Sequence, residues 1–280
     1  MHEKMNGNDT IFWKKVNLSN WIEQKEQDVN RAFLFGDGLF ETMVFQNGKI
    51  RFANLHLERL LTGCQVLGMN TEQLSPIEEI ERALKLGFGE DKVLRVRWTI
   101  YRSGKGKYTP LTDEIEESLQ IEDFHAAPLT KQSAFVHPEI YLSSSPWSSC
   151  KTLNALPYVI ANRDRVKLGM EEVILLGQGS FVSEAGAANL FWVKSGVFYT
   201  PSLGTGCIEG IGRSVIIDLL KSKGIEIQEG YFRLDDMYEA SSVFISNVTG
   251  ISYLLTLEGK TLGQERFVMI EQLFEFDNIY

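Results

Sequence analysis

Four stretches of this 280-residue chain carry side chains that could do chemistry. In SPWSSCKTLNALPYVIANR, residues 145–163, a run of small residues ends in Lys151, and a segment with helical patterning follows. An amine attacks an aldehyde only when deprotonated, and small, apolar flanks can supply the burial that lowers an ammonium pKa. A lysine at a helix start can equally lay its stem along the surface and keep its charge in water. The local sequence leaves both readings open, nucleophile and ordinary surface cation.

The second stretch, VSEAGAANLFW, places Glu184 between a β-prone run and the small cluster Ala185-Gly186-Ala187-Ala188. Small side chains let a flat ligand approach the backbone, and a carboxylate there could pair with a ring nitrogen that must stay protonated. A turn glutamate in solvent fits the same letters. The third, GTGCIEGIGRSVIIDLL, brings Gly204, Gly206, Gly210 and Gly212 up to a helix expected from Arg213 onward. Such an approach offers N–H groups and a favourable dipole to a phosphate. It matches neither the dinucleotide GxGxxG pattern nor a Walker A lysine, and glycine turns precede many helices without any ligand. The fourth, SNVTG at 246–250, follows the strand-like SVFI and is either a second phosphate-facing turn or a plain hairpin turn.

Other chemistries lack an anchor. His2, His56, His125 and His137 are scattered without metal spacing, and no GxSxG elbow is present. Cys64, Cys150 and Cys207 are far apart with no CxxC pair, so reduced, core-like cysteines are expected. The net charge of −9 is spread along the chain without a basic block, which argues against nucleic acid as a partner. No signal-peptide core and no membrane-spanning apolar run is visible, so a cytoplasmic protein with no membrane partner is expected.

The elements that must position these residues can be read coarsely. Two β-prone runs in FLFGDGLFETMVFQNGKIRF meet at Asn47-Gly48, a strong hairpin signal. ANLHLERLLTGCQVLGM sets Leu57, Leu60, Leu61 and Cys64 at helical spacing, and SPIEEIERALKLGF opens with a Ser-Pro helix start. KVLRVRWTIYRSG alternates as a strand, with Leu94, Val96, Trp98 and Ile100 on one face and Val93, Arg95, Arg97 and Thr99 on the other. Residues 111–130 are acidic with little periodicity, so a linker is expected near there. The block beyond it mixes strands broken by Gly and Ser with helices over YVIANRDRVKLGM and after GIGR.

Taken together, RAFLFGDGLFETM, NLHLERL, KTLNALPYVIANR, EEVILLGQGSFVSEAGAANLFWVKSGVFYTP, GIGRSVII and VFISNV resemble, in order and spacing, the class IV aminotransferase family of pyridoxal-phosphate enzymes. That group holds branched-chain aminotransferases, D-amino-acid aminotransferases and aminodeoxychorismate lyases. The resemblance implies an α+β, two-domain fold of type IV: a small α+β domain over 1–118, a linker over 119–130, and a larger β-rich domain over 131–280 that carries the Schiff-base lysine. The cofactor would lie in the cleft, and a homodimer would close the site. Lys151 would form the covalent link to the cofactor and move the α-proton, and Glu184 would face the pyridine nitrogen. Arg59, with the N–H groups of Ile211, Gly212, Asn247 and Val248, would hold the phosphate of pyridoxal 5'-phosphate. Phe40 and the loop cations Arg102, Lys105 and Lys107 would meet a small-molecule amino substrate.

Within the family, GDGLFETM, EAGAANLFW and YRSGKGKY resemble the lyase forms of these motifs, which implies release of pyruvate and p-aminobenzoate from 4-amino-4-deoxychorismate, on the folate route. Branched-chain members usually carry a tyrosine five residues after the lysine, where this chain has Leu156. ISYLL lacks the Arg-Pro often seen in lyases, so a branched-chain or D-amino-acid transaminase stands as the alternative.

Overall fold

The computed structural model describes residues 11–17, 20–23 and 30–275; residues 1–10 of the span 1–118, with His2, and 276–280 of the span 131–280 lie outside them. Among the described residues the chain is an α+β protein that packs as two compact units. The division falls between His125 and Ala126, and Cys150–Asn154 belongs to the first unit.

The first unit is built on one sheet. Its strands are β1 (Ile11–Asn17), β2 (Asn20–Glu23), β3 (Gly38–Gln46), β4 (Lys49–Ile50), β5 (Leu94–Arg102) and β6 (Ile115–Asp123), in the order β2-β1-β6-β5-β3-β4. A short helix, α1 (Arg31–Phe35), precedes β3, while α2 (Ala53–Leu67) and α3 (Ile77–Phe88) follow β4. The β3–β4 hairpin forms at the expected place, with Gln46 opposite Lys49 and positive φ at both Asn47 (49°) and Gly48 (71°), the twist a two-residue turn needs. In β5 the alternation holds as read: Leu94, Val96, Trp98 and Ile100 are buried. They meet Leu39, Met43 and Phe45 of β3, Leu60 and Cys64 of α2, and Ile80 and Leu84 of α3 in one core.

Two readings change here. The acidic span assigned to a linker contains β6, a strand paired on both edges, with β1 and β5. Its alternation was masked because Glu117 occupies an inward position alongside Leu119 and Ile121. That buried carboxylate is satisfied by Lys15 Nζ (3.0 Å), the Ser75 N–H (3.0 Å) and hydroxyl (3.2 Å), and Trp98 Nε1 (2.9 Å). The lysine segment, expected with the larger domain, packs with the smaller one because its backbone pairs with β3, as described below.

The second unit carries two sheets. In chain order its strands are β7 (Thr130–Lys131), β8 (Ala134–Leu142), β9 (Glu172–Gly177), β10 (Val182–Ala185), β11 (Asn189–Lys194), β12 (Val197–Pro201), β13 (Ile227–Gly230), β14 (Ser242–Asn247), β15 (Gly250–Leu254), β16 (Thr256–Leu257) and β17 (Lys260–Thr261). One sheet runs β10-β9-β8-β16-β17 and the other β13-β12-β11-β14-β15-β7. The parallel pairs β8–β9 and β12–β13 are each joined through a helix, α4 (Leu156–Lys167) and α5 (Ile211–Ser222), as parallel neighbours require. Val182, Leu190, Trp192, Val243, Ile245 and Leu254 form a buried cluster that draws on both sheets.

Removing the Glu117 charge while its donors stay buried should cost about 3 kcal/mol. Glu116→Gln, on the outer face beside Lys14, should cost no more than about 1 kcal/mol. Urea midpoints of Glu117→Gln and Glu116→Gln, read against the parent chain, check the contrast.

Candidate active site

Lys151 does not start a helix. α4 begins at Leu156, and the lysine lies in extended chain laid along β3. The Phe40 N–H donates to the Lys151 carbonyl (2.9 Å), the Leu153 N–H donates to the Gly38 carbonyl (3.0 Å), and Thr152 bridges Leu39. Asn154 Nδ2 then donates to the Gly36 carbonyl at 3.1 Å. The half-buried lysine therefore springs from a fixed backbone, with its ammonium 4.6 Å from the centre of the Phe40 ring. The Arg97 guanidinium lies 3.6 Å from the centre of that ring, a cation–π contact. Arg97 makes no ion pair among the described residues. Burial, and after it the Arg95 charge, lowers its pKa, with Glu122 pulling the other way.

Arg59 projects from α2 onto Glu41 of β3, donating through Nε (2.8 Å) and Nη2. Nδ1 of His56, one helical turn earlier, lies 2.6 Å from the same carboxylate. Burial alone would raise the Glu41 pKa, but the Arg59 charge and the His56 hydrogen bond outweigh it and hold the carboxyl at about 2. Desolvation lowers the pKa of His56, with the Glu41 hydrogen bond and charge pulling the other way.

In the second unit, Glu184 is buried on β10, where the pairing with β9 slips by one residue between Val182 and Glu184. Such a bulge turns a side chain out of strict alternation. The Tyr158 hydroxyl of α4 donates to Glu184 Oε1, and the Ile208 N–H lies 3.4 Å from both carboxylate oxygens. Burial and the Glu184 charge push the Tyr158 phenol far up, so it stays a donor. The same two causes push the Cys207 thiol up to about 12. The neighbouring small residues serve packing: a Cβ on Gly186 would meet Val173 Cγ1 at 2.6 Å and Asn162 Nδ2 at 2.9 Å. Asn162 donates there to the Gly186 carbonyl (2.9 Å).

The glycine loop and the 246–250 turn come together. α5 starts after Gly210 with no side-chain cap, so its first N–H groups face outward unengaged by the helix. Asn189 packs on this end, where a Cβ at Gly210 would fall 2.0 Å from its Oδ1, and it donates Nδ2 to the Ser246 carbonyl (2.8 Å) and hydroxyl (3.2 Å). A Cβ on Gly212 would lie 3.1 Å from Ser246 Oγ and 3.5 Å from the Asn247 carbonyl. Asn247 Oδ1 accepts from the Thr249 N–H (2.9 Å) and hydroxyl (2.6 Å), which shapes the turn through Val248. A helix start with no side-chain cap, beside a turn held by Asn189 and Ser246, fits a phosphate.

The loop cations divide. Arg102 is buried and held by Asp37 (3.2 Å), Asp113, the Leu67 carbonyl (2.6 Å) and the Gly68 carbonyl (3.1 Å), so it braces the first unit and is not available to a substrate. Lys105 and Lys107 are exposed. Sequence reasoning missed Arg97, Tyr158, Glu41 and His56. For Tyr158 a signal existed, since Tyr158 and Asn162 stand four apart on α4 and both reach β10 or the residue after it. Among the described residues no cluster of His, Cys, Asp or Glu could hold a metal, and no helix is long and apolar enough to cross a membrane.

The amino-transferase class IV family model matches residues 38–252. D-alanine aminotransferase of Listeria monocytogenes is 28% identical over 247 residues, covering 84% of each chain. Aminodeoxychorismate lyase of Bacillus subtilis is 27% identical over 238 residues, covering 81% of this chain and 80% of that one. The branched-chain amino acid aminotransferase of Escherichia coli superposes with a TM-score of 0.80 at 21% identity, over 94% of this chain and 91% of that one, a likeness of fold.

The Glu41 pKa lies below its usual value, so its stabilising contribution is present above about pH 4.5 and is lost as pH falls towards about 2. Urea midpoints measured across that window should fall more steeply for the parent chain than for Glu41→Gln. Equal slopes would contradict the depressed carboxyl.

Proposed function

This chain belongs to the class IV aminotransferases, pyridoxal-phosphate enzymes that act on small amino compounds, and from that premise we propose that it is a 4-amino-4-deoxychorismate lyase, releasing pyruvate and p-aminobenzoate. The observation that carries an anionic amino substrate is Arg97: a half-buried guanidinium stacked on Phe40, the ring that also lies against the Lys151 ammonium, and without an ion pair among the described residues. A desolvated cation of that kind is stabilised by a carboxylate, and a planar guanidinium takes it in two parallel hydrogen bonds. The lyase forms of GDGLFETM and EAGAANLFW support this branch. The Listeria relative supports the second reading, D-amino-acid transamination, which uses the same cation and lysine.

When bound, pyridoxal phosphate supplies an aldehyde that links to amines and a ring that takes up electrons from the adjoining carbon. In the proposed reaction Lys151 Nζ would hold the cofactor aldehyde, would be released as a free amine when the substrate's amine displaces it, and would then take the proton from the amine-bearing carbon of the substrate. Its backbone, fixed on β3, limits where the amine can swing. Glu184 holds a proton at the ring nitrogen, its own orientation set by the Tyr158 hydroxyl and the Ile208 N–H. Arg59 and the N–H groups of Ile211, Gly212, Asn247 and Val248 take the phosphate. Arg97 orients the substrate carboxylate, and the Phe40 ring lies against the lysine ammonium, 4.6 Å from its centre. The proposal includes a cytoplasmic homodimer.

Lys151→Ala should lose both the borohydride-fixable attachment of cofactor and turnover; turnover that persists would remove the lysine from its role. Arg97→Ala should raise KM by roughly tenfold or more with a smaller loss in kcat. Incubation with aminodeoxychorismate, and separately with L- and D-amino acids plus 2-oxoglutarate, separates the branches. Pyruvate and p-aminobenzoate release is expected, and amino transfer without it would replace the lyase with a transaminase.

A further inference from the structure

A carboxylate on the core-facing side of β3 calls for a reason. Glu41 stands in line with Leu39, Met43 and Phe45 and directly opposite Trp98, all of them buried. Packing does not ask for a charge there, since an apolar residue of similar volume is often at least as stable as a buried ion pair. What a carboxylate adds is geometry. Its two oxygens accept from Nε and Nη2 of Arg59 side-on, which fixes the plane of the guanidinium as a single hydrogen bond would not. Oε2 also accepts from His56 Nδ1, so the carboxylate itself cannot rotate. His56 is fully buried, and its Nε2 has no hydrogen-bond partner among the described residues. An imidazole that leaves one nitrogen unsatisfied in the core is explained by what its other nitrogen holds.

We propose that Glu41 and His56 are positioning residues for cofactor phosphate: they fix the plane of the Arg59 guanidinium, which would hold the phosphate, and so set how strongly this chain prefers a phosphorylated over an unphosphorylated pyridoxal. The proposal rests on the reading of Arg59 as a phosphate ligand. The three side chains form a relay across β3 and α2, with His56 and Arg59 one turn apart on the same helical face. The anion is held by Arg59, while Glu41 and His56 act only through it.

The test uses the full chain stripped of cofactor and titrated with pyridoxal phosphate and, separately, with pyridoxal. The dissociation constant of pyridoxal divided by that of pyridoxal phosphate is the readout. Glu41→Gln and His56→Leu should each reduce that ratio by roughly tenfold or more, through weaker binding of pyridoxal phosphate with pyridoxal little changed. His56→Asn, whose amide can replace the Nδ1–H donor, should recover most of the ratio. Parallel weakening of both ligands, or an unchanged ratio, would overturn the positioning role and mark the cluster as structural. Arg59→Gln separates the two levels: loss of the ratio there without loss in Glu41→Gln or His56→Leu defeats this inference alone, whereas an unchanged ratio in Arg59→Gln removes Arg59 from the phosphate and the inference with it. Should Glu41→Gln fail to fold, the His56→Leu and His56→Asn pair decides.

Discussion

The register of β3 is the constraint on which the first unit depends. Successive residues of a strand face opposite ways, so Leu39, Glu41, Met43 and Phe45 go to the core while Phe40 and Thr42 go to the other face. The backbone at Gly38 and Phe40 meanwhile pairs with the segment that carries Lys151. A slip of one residue would bury Phe40, take Glu41 away from His56 and Arg59, and move the lysine along the strand. Gly38 permits the fit: a Cβ there would fall 2.4 Å from the Ile100 carbonyl and 2.8 Å from Leu153 Cδ1. One strand therefore fixes the lysine backbone, the ring beneath its ammonium and the carboxylate behind Arg59.

Buried charge is a recurring cost in this architecture, and at Glu117 and Arg102 it is met by several hydrogen-bond partners. Glu117 takes four hydrogen bonds from Lys15, Ser75 and Trp98, which ties β1, β5 and β6 to the approach of α3. Arg102 reaches two carboxylates and two carbonyls. Such groups contribute little net stability over apolar replacements, but each accepts only one arrangement of its neighbours. The residues read for chemistry therefore sit in a scaffold whose polar core holds its shape.

The second unit solves a different problem, that of packing a turn against an uncapped helix start. Asn189 and Ser246 clamp β11 to β14, and glycines at 210 and 212 leave room for that clamp against the start of α5. Glu184 reaches its donors through a bulge in β10, with Tyr158 one turn from Asn162 on α4. Both arrangements join residues far apart in sequence through strands that lie side by side.

The sequence by itself determined the elements whose signal is local: the Asn47-Gly48 turn, the alternation of β5, the glycines ahead of α5, and the choice of Lys151 and Glu184 as residues worth weighing. Ordered motifs over most of the chain also identified the family. The tertiary structure decided what depends on partners distant in the chain. Leu61, read as part of the apolar face of α2, is 39% exposed, while His56 is fully buried, because the helix turns towards a carboxylate on β3 that periodicity cannot foresee. β6 read as linker because Glu117 looks like solvent-exposed acid until Lys15, Ser75 and Trp98 are brought to it. Arg102 and Arg97 look alike as letters, and only packing separates the one enclosed by carboxylates from the one without an ion pair among the described residues. Local sequence sets backbone preference and patterning, whereas the role of a charged side chain is set by which opposite charge the fold places beside it.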